Sequence, residues 1–104
     1  MGTFYYGAAR TALRIDDRVL AHLKVVAVSK LRRREPFMVS WTESQGNGGG
    51  RGSIWIHPDI DLVYRFDGSR PAELDKSLLE QMSNEALAPT GIQLEASLVP
   101  FWGR

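Results

Sequence analysis

The apolar residues of this 104-residue chain change their spacing along the sequence, and that change limits the possible folds more than any composition value does. From Asp17 to about Arg34, Leu20, Leu23, Ala27 and Leu31 recur at helical intervals, flanked by Val19 and Val26. That period belongs to a helix with one buried face. Asp16-Asp17 supplies a cap and negative charge for the first turn. Glu35-Pro36 ends the helix, because a residue before proline avoids the helical region. On either side the spacing falls to two. Phe4-Tyr5-Tyr6 and Thr11 to Ile15 read as short strands around a four-residue hairpin loop, Gly7-Ala8-Ala9-Arg10. Phe37, Val39 and Trp41 alternate toward one face, as do Ile54 and Ile56, and then Ile60, Leu62, Tyr64 and Phe66.

These three alternating runs are expected to pair as an antiparallel meander, with a glycine-rich connection over 44–52 and a turn at His57-Pro58-Asp59. A second helix follows, started by Pro71 or capped by Asp75, with Leu74, Leu78, Leu79, Met82 and Ala86 as its apolar stripe. Ala88-Pro89-Thr90-Gly91 ends it, and Ile92, Leu94, Ala96 and Leu98 alternate in a final strand. The order is β-β-α-β-β-β-α-β. It predicts an α+β fold, a mainly antiparallel sheet with two helices packed on one face, in a single globular domain over 1–104.

Composition narrows the functional classes. Hydrophobic residues make up 43% and charged residues 24%, which excludes a disordered chain. There are no cysteines, hence no disulfide framework and no thiolate nucleophile. No apolar run approaches the roughly 20 residues of a membrane span. The start, Met1-Gly2-Thr3-Phe4-Tyr5, lacks the basic and apolar regions of a secretory signal, so a cytoplasmic location is expected. Thirteen Lys and Arg against twelve Asp and Glu give a net charge of +1, too balanced to announce a nucleic-acid protein. Within that balance Lys30, Arg32, Arg33 and Arg34 form one dense cluster. Cations there suit the last turn of a helix, and they are also the residues that would contact phosphate, together with Arg51.

The remaining chemical signals are sparse. Gly46-Asn47-Gly48-Gly49-Gly50-Arg51-Gly52 lacks the Lys-Ser/Thr and following helix of a phosphate loop, and reads as a hairpin tip. His22 lies mid-helix, away from the apolar stripe and without an acidic neighbour at helical spacing. His57, Asp59 and Asp61 could be drawn around a metal, but turn chemistry accounts for all three. No metal, cofactor or catalytic residue is expected. Trp55 is the informative residue. Alternation places it with His57 and Arg65 on the polar face of the meander. An aromatic there suits a protein interface, or base stacking, unless the N-terminal hairpin or the C-terminal tail covers it. Val99-Pro100-Phe101-Trp102 makes that tail apolar, so it either folds back over Trp55 or docks on a second copy.

Several stretches carry a family resemblance: Met1 to Gly7, Ile15 to Val26, Lys30 to Phe37, Ser40-Trp41, Ile54 to Pro58 and Phe66 to Pro71. On these the chain resembles a group of small uncharacterised actinobacterial proteins, which often carry the label ATP-dependent DNA ligase. The resemblance implies no established activity and no catalytic residue. Nucleotidyl transfer needs a Lys-x-Asp-Gly arrangement, and none of Lys24, Lys30 and Lys76 stands in one. The expectation is therefore a non-enzymatic domain binding a protein partner or a second copy of itself, anchored by Trp55 and Trp102. The alternative is a nucleic-acid-binding accessory domain using the basic cluster.

Overall fold

In the computed structural model, which describes residues 1–43 and 50–100, the chain runs β1 (Gly2–Tyr6), β2 (Thr11–Ile15), α1 (Asp17–Arg32), β3 (Phe37–Thr42), β4 (Arg51–Ile56), β5 (Leu62–Phe66), α2 (Lys76–Glu85), β6 (Ile92–Glu95) and β7 (Ser97–Val99). The α+β class and the antiparallel character hold. The strands divide, however, into two sheets, ordered β5-β1-β2-β7 and β4-β3-β6. The meander expected from the sequence does not form. β4 pairs with β3, but β5 crosses to the first sheet and pairs with β1, with Phe4 opposite Tyr64. Ile60 falls in the turn before β5.

The single final strand is also divided. Its first half, β6, runs parallel to β3, and its second half, β7, runs antiparallel to β2. The change comes at Ala96, which is buried and whose amide donates to the Thr42 carbonyl at 3.2 Å. One length of chain thus belongs to both sheets and makes the corner between them. Gly91 prepares that corner. It has φ +69°, and a Cβ there would run into the Met38 carbonyl on β3. Only glycine combines this left-handed turn with so close an approach.

The helices share one core with both sheets. Leu20, Leu23, Val26 and Ala27 of α1 are buried against Phe4, Leu13, Ile15, Phe37, Val39, Ile56 and Ile92, and Met82 and Ala86 extend this core from α2. Each helix start is capped by an aspartate. Asp16 accepts from the amides of Arg18 and Val19, and Asp75 from those of Ser77 and Leu78. At the end of α1 the amides of Arg34 and Glu35 return to the carbonyls of Leu31 and Lys30. This is a Schellman ending with Arg34, φ 57°, at the position glycine usually fills. Leu74, expected in the stripe of α2, precedes the helix and is 55% exposed.

His22 departs furthest from expectation. It is completely buried. Its Nε2 accepts the Asp75 amide at 2.8 Å, so Nδ1 carries the proton and donates to the Arg18 carbonyl at 2.6 Å. Arg18 also pairs with Asp75 at 2.8 Å. His22 therefore ties α1 to the cap of α2. No helix among the described residues is long and apolar enough to cross a membrane.

Candidate protein-binding face

Sheet alternation sets up the face. Phe37, Val39, Trp41 and Ile56 turn inward and are buried, so Met38, Ser40, Ser53 and Trp55 turn outward. Met38 stands directly opposite Trp55, and Ser40 opposite Ser53, whose hydroxyls lie 2.8 Å apart. The Ser40 hydroxyl donates to the Thr90 carbonyl at 2.7 Å, which leaves the Ser53 hydroxyl to donate to Ser40. Trp55 is 49% exposed. Its ring, with Met38 opposite it, is the apolar part of a face that also carries Ser40 and Ser53.

β4 is also a sheet edge. The Glu43 amide donates to the Gly50 carbonyl at 2.7 Å, so this pair is hydrogen-bonded. In an antiparallel ladder the bonded pairs recur every second residue. Gly52, Ile54 and Ile56 therefore direct their backbone groups at β3, and Arg51, Ser53 and Trp55 direct theirs away from it. The Tyr6 hydroxyl donates to the Trp55 carbonyl, which joins this edge to β1 of the other sheet. No local pattern points to that contact, because it depends on how the two sheets sit together.

The other candidate residues are distributed as follows. His57 follows the last residue of β4, and its Nδ1 accepts the Asp59 amide at 3.3 Å. Arg34 lies 3.6 Å from the Asp59 carboxylate, so His57, Asp59 and Arg34 meet near one end of the Trp55 face. Arg51 shares the Trp55 side of β4 at its opposite end. Arg65 belongs to the other sheet, paired with Thr3, so it does not join Trp55. Trp102 and residues 44–49 of the glycine-rich connection lie outside the described residues. Among the described residues no group of three His, Asp or Glu side chains could hold a metal ion.

The basic cluster is largely paired. Glu35 lies 2.9 Å from Arg33 Nε and 3.6 Å from Lys30 Nζ. The hydrogen bond from Arg33 holds the Glu35 carboxyl below the usual carboxylate range and raises the Arg33 guanidinium in return. With Arg34 on Asp59, three of the four cluster cations have acidic partners. Arg32 and Arg51 make no ion pair among the described residues. A cluster that is dense in sequence is thus much less positive in space.

A family described as a domain of unknown function (DUF7882) matches residues 1–97. The chain belongs to this family. The match takes in both helices, both sheets' cores, Trp55, His57, Arg65 and the basic cluster, and Trp102 lies beyond it. No curated protein and no solved structure matches the chain.

Proposed function

We propose that this DUF7882 domain is a non-enzymatic cytoplasmic module that binds another polypeptide, or a second copy of itself, along β4. The observation that carries this reading is the coincidence of two features on one strand. The backbone groups of Arg51 and Ser53 point off a sheet edge, and Trp55 stands half-exposed beside them. An added strand would take its main-chain hydrogen bonds from the edge and its anchor from the tryptophan. Aromatic anchors of this kind carry most of the energy of protein interfaces.

The test places a photo-crosslinking amino acid at Ser53, and for comparison at Glu80 on α2, in the full chain in its source cells. The expected result is a discrete polypeptide adduct from position 53 that is absent from position 80 and is lost on Trp55→Ala. An adduct of twice the chain's mass identifies self-association. Absence of any polypeptide adduct at 53 overturns the reading.

A second reading rests on Arg51 and Trp55 sharing one side of β4, a cation and a stacking platform suited to single-stranded nucleic acid. It predicts binding that weakens steeply with salt, and weakens further on Arg51→Gln or on Gln replacement of Arg32, Arg33 and Arg34. A protein interface built on Trp55 lacks that dependence. Neither reading includes the ligase chemistry attached to the resembling actinobacterial proteins, since no lysine of the chain occupies the required arrangement.

A further inference from the structure

The helix α1 has a second apolar stripe that the core does not use. Ala21, Val25 and Val28 follow one another at four- and three-residue steps on the side away from Leu20, Leu23 and Ala27. Val25 is 37% exposed and Val28 43%. A helix that is apolar on two sides is usually covered on both. Beside this stripe runs an open groove of about 410 Å³, walled by Ala21 and Val25 on one side and by Phe66, Pro71, Ala72 and Leu74 on the other. Val25 and Leu74 stand on opposite walls, and both are exposed.

The rim of the groove decides what fits it. Lys24 and Arg70 both line it, and neither makes an ion pair among the described residues. Lys24 is held over the Phe66 ring, with Nζ 6.0 Å from its centre. Arg32, equally unpaired, continues the α1 stripe one turn beyond Val28. The acidic residue in the groove is Asp17, and its carboxylate is already engaged. It accepts the Gly68 amide at 3.0 Å and the Asp67 amide at 3.4 Å, and lies 3.8 Å from the terminal amine of Met1. The groove therefore offers an apolar floor between uncompensated positive charges.

Its walls also argue for the shape of the occupant. Strand addition needs free backbone donors. The wall over 71–74 is not a strand, and Pro71 has no amide to donate. What the groove presents is side chains at helical spacing, into which the ridge of another helix packs. We propose that this groove receives an acidic amphipathic helix of a partner protein, with apolar residues at i, i+3 or i+4 and i+7 seated between α1 and residues 71–74, and with flanking carboxylates on Lys24 and Arg70. This surface is separate from β4, so it stands or falls independently of the strand-addition reading.

The test is a selection of random 16-residue peptides, displayed on phage, against the full chain. Enriched peptides are expected to be net acidic with apolar residues at helical spacing. In titrations followed by NMR they should shift the amides of Ala21, Val25, Val28 and Leu74. Val25→Asp and the double change Lys24→Glu with Arg70→Glu should each weaken a selected peptide about tenfold or more, and added salt should weaken it further. Both variants alter exposed side chains, and circular dichroism would confirm that they fold. Trp55→Ala should leave this binding intact. Enrichment of neutral or basic peptides, binding that maps to β4, binding unaffected by both variants, or no enrichment at all overturns the proposal.

Discussion

The two ends of each sheet are finished differently. Where β6 passes into β7, backbone donors are satisfied by planned partners. The Ala96 amide reaches Thr42, the Gln93 amide reaches the Glu85 carboxylate at 3.3 Å, and the Leu98 amide reaches Glu43 at 3.3 Å. At the far ends, β4 and β5 do not pair with each other, and the Tyr6 hydroxyl on the Trp55 carbonyl is a thread across from one sheet to the other. Acidic side chains close the corner against further strands. The amides of Ser53 and Trp55 receive no comparable cap among the described residues. An edge closed by carboxylates is protected from unwanted pairing, and an edge left open beside a tryptophan is available for wanted pairing.

Four changes would break or sharpen this contrast. Gly91→Ala should have the largest effect, because it adds a Cβ to a left-handed residue already against Met38. A loss of about 3 kcal/mol or more is expected in denaturant melts. If the cost is under about 1 kcal/mol, the corner is not the rigid end of the molecule. Asp75→Ala comes next, since it removes the cap of α2, which packs on β6. The expected cost is about 1–2 kcal/mol, with faster hydrogen exchange at Leu94 than at Trp55. The Asp75 carboxyl is held below its ordinary value chiefly by the Leu78 amide, with help from Ser77 and Arg18. A folded-state value below the unfolded one gives stability that is complete above the unfolded carboxylate range and is lost as pH falls toward the folded value. The acid limb of the stability curve should accordingly be shallower in Asp75→Asn.

Tyr6→Phe cuts the thread at the open end. It should cost about 1 kcal/mol or less, because the bond is exposed. It should also speed exchange along β4 while leaving β6 unchanged. Equal acceleration at both strands would show that the two ends are not independent. The smallest effect is expected at Arg34→Gly, which relieves the left-handed residue at the end of α1. A gain of up to about 1 kcal/mol should appear in thermal melts, because the exposed pair with Asp59 that it removes contributes little.

The elements themselves were legible in the sequence because their signals are local. Helical spacing, the cap at Asp16 and the hairpin loop from Gly7 to Arg10 act over a few residues and stand where expected, and of the two starts open to the second helix, Pro71 and Asp75, the structure has the cap at Asp75. Strand partners were not legible. Leu62, Tyr64 and Phe66 alternate identically whether β5 lies beside β4 or beside β1. The bend at Ala96 is hidden for the same reason, since Ile92, Leu94, Ala96 and Leu98 keep period two straight through it. Lying off the apolar stripe, His22 gives no local sign of its burial, because one of its two hydrogen-bond partners is an amide far along the chain. The exposed position of Trp55 on β4 followed from alternation alone, whereas the grouping of Trp55 with Arg65 required a sheet that does not exist.

The shared strand at Ala96 also orders events during folding. β1 with β2, and β3 with β4, are hairpin-like pairs of near neighbours and can form early. The pairing of β2 with β7 spans the longest stretch of chain among the paired strands, and the adjoining β6 lies on β3. Closing so long a loop is entropically costly and slow. Because one continuous segment completes both sheets, its docking couples them, and loss of the corner at Ala96 would unpair an edge of each.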